Sequence, residues 1–144
     1  MKKAFTLIEL ILVILILAIL SSLAIGFTSF KKEETNLLKL KMDYELLSSA
    51  LALMRSQTKQ KGLDYIQSLD EASFNSEKQR LFYCDNCDYS LLEKPIYSSF
   101  KAWIKTGKNE YKFYLNSKES LNFTYDFKEG IFECFGSSKC KDLL

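Results

Sequence analysis

The sequence predicts an α+β protein in which one long N-terminal helix, its first half apolar enough to lie in a membrane, packs on a four-stranded antiparallel sheet. Three observations lead there. An apolar run opens the chain, a helical repeat of apolar residues continues it, and short aromatic-rich alternating segments close it. With 144 residues and 47% hydrophobic composition, the part beyond the opening run suits one small domain with a single core.

The first element is residues 5–27, apolar except for Thr6, Glu9, Ser21, Ser22 and Gly26. As a helix it would extend roughly 34 Å, enough to cross a hydrocarbon core. Lys2 and Lys3 precede it and favour a cytoplasmic start, although Lys31 and Lys32, partly offset by Glu33 and Glu34, follow it. Two simpler readings are a secretory signal peptide ending at Ser22-Leu23-Ala24 and a plain membrane anchor. Glu9 argues against both. A carboxylate among lipid tails costs a few kcal/mol, about 3 at the membrane centre, so it needs a partner. Cutting the chain between Ala4 and Phe5 supplies one: the new α-amine of Phe5 lies four residues before Glu9 and can pair with it, within a chain or between neighbours.

The stretch Lys3-Ala4-Phe5-Thr6-Leu7-Ile8-Glu9-Leu10, followed by the apolar run, resembles the prepilin cleavage and methylation motif of type IV pilins and type II secretion pseudopilins. The resemblance covers about thirty residues. It implies that residues 1–4 are a leader removed by prepilin peptidase after Ala4, that Phe5 becomes the N-methylated first residue, and that Glu9 is the intersubunit carboxylate of a filament. It also implies a single pass through a bacterial inner membrane, with the C-terminal domain in the periplasm or on the cell surface. The implied partners are other pilin or pseudopilin subunits, met through the N-terminal helix, and an inner-membrane assembly platform. Ala4 stands where the family usually has Gly, and Gly26 where it often has Pro, so a bend is expected near Gly26.

Residues 28–62 continue the helix as its amphipathic half. Leu37, Leu40, Tyr44, Leu47, Leu51 and Met54 recur at steps of three and four and mark one apolar face. Lys59, Lys61 and then Gly62 read as its end. The rest of the domain is residues 63–144. Residues 63–99 form an irregular connection with one short helix, and residues 100–106, 110–116, 121–127 and 131–135 form a meander. In the third strand Leu121, Phe123, Tyr125 and Phe127 point to one side.

Cys84 and Cys87, and Cys134 and Cys140, are expected as two local disulfides in an exported domain. Cross-pairing, or one zinc ion held by all four thiolates, are the alternatives; no cofactor is otherwise implied. Cys84-Asp85-Asn86-Cys87 lacks the βαβ surroundings of a thioredoxin-like site. On the first two strands Lys101, Trp103 and Lys105 share one side that could align with Lys112 and Tyr114, a face able to hold nucleic acid in a DNA-uptake system. The alternative there is an ordinary solvated sheet face.

The net charge of +2 is that of Lys2 and Lys3, which leaves the remainder near neutral and offers no bulk attraction for nucleic acid. Histidine is absent, which removes the commonest general base and metal ligand. The expectation is a non-enzymatic pseudopilin or minor pilin of a type II secretion, competence or type IV pilus filament. The alternative is a bitopic envelope protein whose exported domain binds a partner or zinc, without a filament role.

Overall fold

The computed structural model describes residues 6–87 and 89–143, with the side chains of residues 23–32 left aside. The chain divides into two compact units, Met1–Thr35 and Asn36–Leu144. Helix α1, Leu7–Lys61, contributes to both.

In the first unit the described apolar side chains all face outward: Leu7 through Leu20 expose about half of their surface or more, from Val13 at 47% to Leu7 at 76%. Ser21 and Ser22 donate their hydroxyls to the carbonyls of Leu17 (2.7 Å) and Ile19 (2.8 Å), so the helix itself satisfies them. The described side chains of this stretch stop at residue 22. Among the described residues no helix is long and apolar enough to cross a membrane.

In the second unit α1 ends where Gly62 takes φ of +64°, a left-handed conformation that costs glycine little. The Leu63 amide returns to the Thr58 carbonyl (3.1 Å) and the Gly62 amide to that of Lys59 (3.4 Å), the paired bonds of a Schellman cap. The expected core face is in place: Leu40, Leu47, Leu51 and Met54 are buried, with Leu37 and Tyr44 packed at the margin. The opposite side is less polar than the amphipathic reading supposes, because Leu38, Met42, Leu46 and Leu53 are exposed.

The connection departs from expectation. It contains no helix among its described residues; instead β1, Arg80–Leu81, pairs antiparallel with β2, Ile96–Tyr97. Strands of two residues carry no periodic signal, so the pattern could not announce them. The sheet is the four-stranded meander β3 (Trp103–Gly107), β4 (Glu110–Tyr114), β5 (Ser120–Asp126) and β6 (Ile131–Phe135), all neighbours antiparallel. Leu121, Phe123 and Tyr125 point into the core, but Phe127 lies past the end of β5 and is exposed. A 3-10 helix, Ser138–Leu143, follows the sheet.

Aromatic rings fill the space between α1 and the sheet. Phe82 meets Trp103 edge-on at 5.6 Å between centroids, and Phe123 stacks on Phe132 at 5.4 Å. Such pairs add about 0.5–1.5 kcal/mol each beyond the area they bury.

Candidate functional site

The basic and aromatic face expected on β3 and β4 does not exist. Trp103 pairs with Phe113 and Lys105 with Tyr111, whereas Lys112 pairs with Ile104. Residues directly opposite across an antiparallel ladder share a face, so Lys112 and Tyr114 lie on the side opposite Trp103 and Lys105. Trp103 and Lys105 are buried, and Lys101 is exposed in the turn before β3. Alternation along one strand groups side chains correctly but does not say which group faces the core.

What occupies that inner face is a buried polar cluster that the sequence reading missed. The Asp70 carboxylate accepts from Lys105 Nζ (2.7 Å), the Tyr111 hydroxyl (2.9 Å), and the amides of Phe82 (2.9 Å) and Ala72 (3.1 Å). Lys105 Nζ also reaches the Asp70 carbonyl at 3.0 Å. Burial, and then the charge of Asp70 beside it, raises the Tyr111 phenol well above its ordinary value. Nearby, Trp103 Nε1 donates to Asp43 of α1 (2.9 Å), whose acidity burial weakens. A lysine at an inward strand position was the available signal, since it requires a buried acid.

The cysteines form the two local bridges, Cys84 with Cys87 and Cys134 with Cys140, each with Cα atoms 5.5 Å apart. A four-thiolate zinc shell is therefore not assembled. Spacings this short close at small entropic cost, so local partners prevail over distant ones.

At the start of α1, Thr6 is the residue before the first helical turn and Glu9 the third within it. The Glu9 carboxylate accepts from the Thr6 amide and from the Thr6 hydroxyl, both at 2.9 Å. The reach from the third helical residue back to the cap amide is one half of a capping box. Glu9 thus already serves one helix, satisfying an amide that would otherwise lack a partner.

The family model for the prokaryotic N-terminal methylation motif matches residues 1–25. The chain carries a prepilin-type signal. No curated protein and no solved structure matches the chain.

The prepilin-type signal includes all of the expected processing residues. Ala4 and Phe5, the expected cleavage and methylation positions, lie outside the described residues, while Gly26, where a bend is expected, lies within the uninterrupted helix α1. Glu9 and Thr6 lie inside them. The signal marks type IV pilin-like or pseudopilin substrates of prepilin peptidase and implies assembly with other subunits of that kind.

Proposed function

We propose that this chain is a pseudopilin or minor pilin: a non-enzymatic subunit inserted in the bacterial inner membrane as a prepilin, cut after Ala4, methylated on Phe5 and drawn into a filament through its N-terminal helix. The observation that carries this reading is the match of residues 1–25 to the methylation motif. Two physical features support it. The outward-facing leucines and isoleucines of residues 7–20 need lipid or neighbouring helices around them. The polar side chains of the same stretch, Thr6, Glu9, Ser21 and Ser22, are hydrogen-bonded within it, as an apolar surrounding demands.

Glu9 then has two tasks in sequence. Alone, the carboxylate caps its own helix; in a filament it neutralises the α-amine of a neighbouring Phe5 and sets the axial step. The substitutions Glu9→Gln and Glu9→Ala separate these tasks. Glutamine keeps an acceptor for the Thr6 amide but loses the charge, whereas alanine loses both.

The decisive measurement is intact-mass spectrometry of the chain purified from its membrane. Loss of residues 1–4 together with one added methyl on Phe5 is expected; an intact start, or a start at Ile25, refutes the reading. In cells, Glu9→Gln should abolish filament incorporation as fully as Glu9→Ala. Filaments that form normally with glutamine would show that capping, not charge, is what the residue provides.

A further inference from the structure

Glu71, Cys84 and Cys87 meet at a part of the domain that the filament reading does not use. One oxygen of the Glu71 carboxylate and the two sulfurs lie within 4.8 Å of one another. The approach is built into the fold rather than left to side-chain chance. Asp70 accepts from the Ala72 amide on one side and the Phe82 amide on the other, which clamps the segment holding Glu71 against the segment leading to Cys84. Phe82 is completely buried and held at φ of +57°, a conformation that a bulky side chain adopts only when its surroundings impose it. The Cys84 amide donates to Ser90 Oγ (3.4 Å), and Asp85 between the cysteines forms an ion pair with Arg80 of β1. Cys84 is buried, while Cys87 and Glu71 are exposed. The exposure of Cys87 and Glu71 gives an ion access from solvent.

We propose that Cys84, Cys87 and Glu71 form a redox-gated site for a thiophilic metal ion such as Zn²⁺: closed as the disulfide, and able to hold metal once that bond is reduced. Two residues between the cysteines is the usual spacing for a zinc-binding pair, and a carboxylate is an accepted third ligand. Around a tetrahedral ion the two sulfurs stand about 3.8 Å apart, within reach of side-chain rotation when the Cα atoms are 5.5 Å apart. The fourth position is left for water or another ligand.

The chemistry balances with a dithiol as reductant. Its two thiols become a disulfide, the Cys84–Cys87 bond breaks, and two electrons and two protons pass to the cysteine sulfurs. Metal binding then displaces those two protons to solvent. Because the bridge and the metal use the same sulfurs, each form excludes the other.

The test uses the full chain in detergent, reduced with a phosphine and titrated with Cd²⁺, whose thiolate charge-transfer absorption reports sulfur ligation. Zn²⁺ affinity is then measured by competition with a chromophoric chelator. One ion per chain is expected in the reduced protein, with no charge-transfer band before reduction. The Cys134→Ser, Cys140→Ser double variant should bind unchanged, and Cys84→Ser, Cys87→Ser should show no band. Glu71→Gln keeps the disulfide and alters only an exposed side chain, so its folding is secure. Removing even an outer-shell partner weakens metal sites by about 10–100-fold; losing this ligand should weaken Zn²⁺ binding at least about tenfold. Absence of a band in the reduced chain, a band that survives Cys84→Ser, Cys87→Ser, or equal affinity in Glu71→Gln would each overturn the proposal.

Discussion

Asp70 shows how much one residue can organise. Its carboxylate is fully buried and meets one ammonium, one phenol and two amides, so the charge is both neutralised and hydrogen-bonded, the condition for tolerating an ion inside a protein. Replacing it with alanine strands the Lys105 ammonium and frees Phe82 from its strained conformation. A loss of about 3–5 kcal/mol is expected. Lys105→Met should cost less, because the carboxylate keeps Tyr111 and both amides. Urea unfolding followed through Trp103, the single tryptophan and a fully buried one, reads both values; an Asp70→Ala loss no larger than that of Lys105→Met would show that the cluster does not hold the connection. In the sequence Asp70 looks like any loop aspartate, since its side-chain partners Lys105 and Tyr111 are 35 and 41 positions away. Glu9 was legible because its surroundings are local: an acid among leucines and isoleucines stands out on inspection. Its hydrogen bond to Thr6 was equally local and could have been read from the Thr-x-x-Glu spacing.

Elements were legible in proportion to their length and periodicity. The helix from residue 36 onward, its buried stripe, its Gly62 stop and all four long strands follow from repeats of 3.6 and two, and residues 131–135 form a strand with the expected bounds. β1 and β2 were hidden because two residues cannot alternate. The orientation of β3 was hidden because Trp103 and Lys105 look like an exposed pair until Asp70 is brought beneath them. The same helix offers a direct comparison of its two sides. Leu47 is fully buried and Leu46, its neighbour, is 53% exposed. Leu47→Ala should cost about 2–5 kcal/mol, through lost burial and the cavity left behind, whereas Leu46→Ala should fall within about 0.5 kcal/mol. Equal losses in urea unfolding would mean that the packing of α1 on the sheet is not what stabilises the domain.

At the scale of the whole 36–144 unit, two tyrosines tie the connection after α1 to the sheet: Tyr111 through Asp70, and Tyr125 through its hydroxyl bond to the Ile66 carbonyl (2.9 Å). Both hydroxyls donate, so both bonds require the protonated phenol. Burial, and then the charge of Asp70, raises Tyr111 well above the ordinary 10.0, while burial, and then the charges of Asp126 and Tyr65, pushes Tyr125 up to about 12. A folded state that holds these protons more tightly than the unfolded chain gains stability that is complete below the unfolded value and declines as pH rises past it. Above pH 10 the unfolded chain gives up protons that the folded domain keeps, and the decline continues until the folded phenols themselves ionise. For Tyr111 the slope reaches at most about 1.4 kcal/mol per pH unit; the Tyr125 contribution levels off once its own phenol ionises, at about pH 12. Urea midpoints should therefore fall steeply from about pH 10 to about pH 12, and more gently in Tyr111→Phe and Tyr125→Phe, which begin from lower stability but lack the titrating group. A midpoint in the unsubstituted chain that stays level to about pH 12 would show that these phenols ionise as readily in the folded domain as in the unfolded chain, and that the hydroxyl bonds do not anchor the connection.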